Sequence, residues 1–146
     1  MITLARVSDF AKFLCSAGIT LAFYHLEFSF PDSDLKTLAT ALAGSAGSIL
    51  GFLITAIALM AAVMDKALLI NLRATGGYAV LIKRSFACAA LHLALLALSI
   101  CLLLPWSGDK RWLLLATIFC SCMCATYLAS AGYSFYRVIM ALSRKH

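Results

Sequence analysis

The chain has 146 residues, of which 64% are hydrophobic and 12% charged, with a formal net charge of +6 and a mean hydropathy of +0.99. Soluble domains are about 45–50% apolar and roughly 25% charged, so a water-soluble globular fold is excluded: a chain this short cannot hide so much apolar side chain. The bases sit beside apolar segments, which points to an anionic lipid surface, and no direct nucleic-acid binding is expected.

Taken in chain order, the first apolar segment is the weakest, at about residues 11–30. Between Phe13 and Phe30 its clean run ends at Tyr24, before His25 and Glu27. So short a run also suits the core of a signal peptide. Ser16-Ala17-Gly18 falls inside the run and not after it, however, so a retained first span is expected, with three spans in all as the fallback. The second segment, about 37–64, contains Leu38–Met64, 27 residues without a charge. After a polar stretch at 65–84, the third (about 80–104) contains Ser85–Leu104, 20 uncharged residues with one His. The fourth, about 112–138, contains Trp112–Tyr136, 25 uncharged residues. Each of these three meets the ~20-residue requirement for crossing ~30 Å of hydrocarbon. The expected fold is an all-α integral membrane protein, a single-domain bundle of four transmembrane helices.

Orientation follows from the bases. With both termini cytoplasmic, the inside holds Arg6, Lys12, Lys66, Arg73, Lys83, Arg84, Arg137, Arg144 and Lys145, and the outside only Lys36, Lys110 and Arg111. Trp106 and Trp112 bracket the second outer turn, where an aromatic belt belongs. A bacterial inner membrane is the expected location.

The second span carries Thr40, Gly44, Gly47, Gly51, Thr55, Ala58 and Ala62 at three- and four-residue steps, including a GxxxG pair. Helices in lipid associate by close packing, and a stripe of small residues lets backbones approach, within one chain or between copies. On the third span Ser85, Cys88, His92 and Ser99 share a face. On the fourth, Thr117, Ser121 and Cys124 line up, with Tyr127, Ser134 and Arg137 continuing roughly along the helix. A lone intramembrane His more often makes a packing hydrogen bond than a functional contact. Polar stripes on two helices could also line a wet path once several copies assemble, since four helices alone enclose no useful pore. Cys15, Cys88, Cys101, Cys120, Cys122 and Cys124 form no C-x-x-C pair, and they read as small packing residues with no metal site among them.

The stretch at 65–84 reads as a short amphipathic cytoplasmic hairpin. Asp65 caps a turn of helix with Leu68, Leu69 and Leu72 on one face, and Gly76-Gly77 ends it. Lys66, Arg73, Lys83 and Arg84 are its candidate lipid or partner contacts, though bases at such places also serve topology alone.

The order Ala46-Gly47, Leu53-Ile54 and Ala56, then Leu69-x-x-Leu72-Arg73-x-x-Gly76 and Tyr78 before an apolar span, resembles RexB, the small four-span membrane protein of phage exclusion systems. The resemblance covers about residues 44–104; Gly77 is inserted before the tyrosine, and the first and last spans share little. It implies an inner-membrane ion channel that depolarises the host when a partner senses infection; a channel of this size requires a homo-oligomer, and a cytosolic sensor or nuclease is the expected partner. Apart from that resemblance, the residues also suit a non-conducting anchor that recruits a soluble protein. A small transporter, suggested by Glu27 in the first span, is more distant. With no Gly-rich phosphate loop, H-E-x-x-H or Ser/His/Asp set, neither an enzyme nor a cofactor is expected.

Overall fold

The structure is a computed structural model that describes residues 2–26, 31–63, 77–105 and 110–143. These form four helices, α1 (Ile2–His25), α2 (Asp32–Val63), α3 (Gly77–Leu103) and α4 (Arg111–Ser143). At 1.5 Å per residue the helices run from about 36 to about 50 Å, longer than the ~30 Å hydrocarbon slab.

The ends have local causes. The carbonyl of Pro31 accepts the first helical bonds of α2, from the amides of Asp34 (3.0 Å) and Leu35 (3.1 Å). Pro favours a helix start, and Asp32 and Asp34 in the first turn complement the dipole. This N-terminal signature starts α2 ahead of the apolar run that marks the second span. α3 stops at Leu103 because Leu104 precedes Pro105, whose ring disfavours helical geometry in the residue before it. The Leu104 amide closes the end on the Cys101 carbonyl at 3.3 Å. α1 extends back to Ile2, well before residue 11, as charged residues join a helix readily even where they resist hydrocarbon. α3 opens at Gly77, which therefore belongs to the helix and not to a preceding turn. The rest of the expected hairpin, with Lys66 and Arg73, lies outside the described residues.

Three helices contain segments long and apolar enough to cross a membrane: Asp32–Leu59, Ile82–Leu103 and Arg111–Ser134. α1 is not among them, because Arg6, Asp9 and Lys12 occupy its first half. Large apolar side chains point outward on every helix, including Phe10, Phe52, Phe86, Leu93 and Trp112. That is the surface of a protein whose solvent is lipid.

Among the described residues the extensive contacts run α2 on α3, α3 on α4 and α4 on α1. The first helix thus packs against the last. α3 is central, and it buries Ser85, Cys88, His92, Leu95, Ser99 and Leu102. Their alternating three- and four-residue spacing is the heptad seam of left-handed helix packing. α2 meets the seam with Leu35, Ala39, Ala46 and Leu53, and α4 with Thr117, Cys120 and Cys124. Ala46, Leu95, Cys120 and Cys124 form one cluster, and Leu35, Ala39 and Leu102 another. Small residues dominate because, without a hydrophobic drive between helices, close backbone approach supplies the attraction.

Candidate functional site

The polar residues expected to line a path are drawn into this seam. Ser85 (1% exposed), His92 (2%), Ser99 (0%) and Thr117 (0%) are sealed inside a single chain, and only Ser121 is half-buried. Nδ1 of His92 lies 2.8 Å from the Cys88 carbonyl, which can only accept, so Nδ1 carries the proton and donates. The Cys88 sulfur lies 3.7 Å from the same Nδ1. Thr117 donates to the Leu113 carbonyl of its own helix at 2.8 Å, and the Cys120 thiol reaches across to the Leu91 carbonyl on α3 at 3.7 Å.

Two of the α3 residues are not satisfied in this way. The hydroxyls of Ser85 and Ser99 are buried without a hydrogen-bond partner, and so is that of Ser16 on α1. A buried hydroxyl left unpaired costs about 1–3 kcal/mol. The seam therefore holds a histidine and two unpaired hydroxyls on one line of α3. Among the described residues no three His, Cys, Asp or Glu side chains gather as a metal site.

The small-residue stripe takes the opposite position. Thr40, Gly44, Gly51 and Thr55 are exposed and Gly47 is half-buried. A Cβ added at Gly44, Gly47 or Gly51 would meet nothing within 4 Å. Thr40 and Thr55 spend their hydroxyls on their own helix, donating to the carbonyls of Lys36 (2.8 Å) and Gly51 (2.9 Å). The stripe is thus a smooth outward surface with its polar groups satisfied, while α2 packs inside the chain through alanines next to it.

The two ends of the α1–α4 pair are marked by charge and aromatic rings. At one end Arg111 donates to the Tyr24 carbonyl at 3.3 Å and lies 4.8 Å from the Tyr24 ring centroid, while Trp112 stacks on the same ring at 6.4 Å. Lys110 pairs with Asp32 at 3.6 Å. At the other end Lys12 on α1 bonds Asp9 (3.1 Å) and Ser130 of α4 (3.2 Å), with its ammonium 4.5 Å from the Tyr127 ring centroid. Arg84 of α3 donates to Ser134 of α4 at 2.8 Å.

Of the bases expected to reach for headgroups, Lys83 is exposed, whereas Arg84 turns inward to α4. Sequence reasoning passed over the Lys12 contacts. The available signal was the polar line Tyr127, Ser130 and Ser134, one face of α4 at its basic end, opposite bases on two other helices. No protein-family model, no curated protein and no solved structure matches this chain.

Proposed function

We propose that this is an oligomeric, four-span inner-membrane protein that depolarises the membrane when its α3 seam opens to water. The observation that carries the reading is the line of Ser85, His92 and Ser99: three polar groups buried in the seam of an otherwise apolar chain, two of them unpaired. Ionisable residues inside a membrane are rare and costly, and ion pathways are a common reason for keeping them. Unpaired hydroxyls gain hydrogen bonds when water enters, which lowers the cost of a wet state relative to an all-apolar seam. The closed packing is then the resting state, and a trigger must shift it. Assembly through the outward α2 stripe multiplies the path. The resemblance to RexB supplies the setting, phage exclusion with a cytosolic sensor or nuclease as trigger.

α1 completes the fourth span in this reading. In its charged half Lys12 is paired with Asp9 and held by Ser130 and the Tyr127 ring, and its other end is held by Arg111. The excess of basic residues on one side supports a layout with both termini in the cytoplasm. Reporter fusions check the layout: one after Ser107 should read periplasmic and one after Thr75 cytoplasmic, and an external signal at Thr75 would overturn it.

Conduction is tested in triggered cells with a potential-sensitive dye, and in liposomes by current. Wild type should depolarise, and His92→Leu should blunt the response. A non-conducting anchor is the second reading, favoured by the near-zero exposure of the seam in the resting chain. It takes over if triggered cells hold their potential while phage is still blocked.

A further inference from the structure

We infer that the junction of Lys12, Arg84, Ser130 and Ser134 is a seat for a phosphate group, carried by an anionic phospholipid headgroup or by a free phosphate ion. It stands apart from conduction and does not depend on it. Lys12 comes from α1, Arg84 from α3, and both reach serines one turn apart on α4, where Ser134 also donates to the Ser130 carbonyl at 2.9 Å. Two cations thus converge on a single turn of helix. One carboxylate answers them: Asp9 pairs with Lys12 and is itself half exposed, its side chain 54% accessible against 13% for Lys12. Among the described residues no carboxylate lies within ion-pair distance of Arg84. Within those residues the junction therefore carries one positive charge without a counter-charge.

Depth decides what could supply that counter-charge. Arg111, Trp112 and Tyr24 mark one membrane boundary by the aromatic and basic residues that belong there. From Arg111 to Ser130 along α4 is about 28 Å at 1.5 Å per residue, close to the ~30 Å hydrocarbon thickness. The Lys12–Arg84 junction lies at the opposite boundary, level with lipid phosphates. A guanidinium fork matches phosphate oxygens in two parallel hydrogen bonds, and the ammonium and the Ser130 hydroxyl add further donors, while Ser134, whose proton is spent on the Ser130 carbonyl, positions the guanidinium. At that level an anionic headgroup attracts each basic side chain by about 1 kcal/mol, and a phosphate supplies the missing counter-charge.

The full-length protein in detergent is titrated with phosphatidylglycerol, with phosphatidylcholine, and with inorganic phosphate, and thermal unfolding is followed. Phosphatidylglycerol should raise the Tm and phosphatidylcholine at equal concentration should raise it less. Arg84→Gln should move the titration midpoint about fivefold higher, the worth of one basic residue at an anionic surface. Lys83→Gln, removing the exposed neighbouring base that no serine of α4 holds, should move the phosphatidylglycerol midpoint less than Arg84→Gln and leave the inorganic phosphate midpoint in place. If inorganic phosphate gives the same Arg84-dependent shift, the seat stands and its ligand is the free ion. Equal midpoints in wild type and Arg84→Gln for both ligands overturn the seat. Should Arg84→Gln lose helicity, Arg84→Lys, which keeps the charge and loses the fork, takes its place: a smaller shift supports the seat, and none overturns it.

Discussion

α2 carries two stripes of small residues one position apart, and the fold treats them differently. The stripe through Ala39 and Ala46 is closed against α3, with Ala46 1% exposed among Leu95, Cys120 and Cys124. The stripe through Gly44, Gly47 and Gly51 faces outward with open space where side chains would begin. Both have the composition that close helix packing demands, yet only one has a partner within the chain. Small residues permit approach but do not choose the neighbour. What chooses is the facing surface: α3 presents a heptad-spaced line of small and branched residues that takes the alanines in register.

Breaking the closed side should have the largest effect. Ala46→Leu forces a branched side chain into a filled cluster, and overpacking of this kind costs about 1–3 kcal/mol. Chemical denaturation in detergent should show a lower midpoint. Gly47→Leu, one residue along, should leave that midpoint nearly where it is, because the new side chain grows into open space. Equal losses at the two positions would mean that the outward stripe is covered within the chain after all.

Next in size is the effect of the open side on association. If copies meet through Gly44, Gly47 and Gly51, Gly51→Leu separates the backbones, and dissociation measured by energy transfer on dilution in vesicles should rise about tenfold. The monomer should keep its helicity and its denaturation midpoint. Unchanged energy transfer in both glycine variants would assign the stripe to lipid.

The comparison also explains how far the residues could be read in advance. The helices follow from uncharged runs and from Pro31 and Pro105, and three of them match the expected segments. The register of α2 did not follow, since a helix whose small residues occupy adjacent positions offers two equivalent faces. Only the three-dimensional partner breaks that tie. The shared face of Ser85, Cys88, His92 and Ser99 was legible from spacing, but its burial in one chain was not, because a polar stripe on an apolar helix fits a seam within one chain as well as a path between copies. Lys12 read as a topological charge. Its bond to Ser130 on α4 spans 118 positions of sequence, beyond any local pattern.

The smallest expected effect lies in the closed seam itself. Ser99 is fully buried and its hydroxyl has no partner, so the folded state bears a desolvation cost that an apolar residue of similar size would not. Ser99→Ala removes the hydroxyl with little loss of volume. It should be neutral or stabilising by up to about 1 kcal/mol, read as an equal or higher denaturation midpoint. Thr117→Val is the contrasting change, because Thr117 donates to the Leu113 carbonyl, and its loss should lower the midpoint slightly. If Ser99→Ala were instead clearly destabilising, the hydroxyl would have a bound water or a backbone partner in the native state. The seam would then be a satisfied polar network, with no unpaired hydroxyls to favour the entry of water.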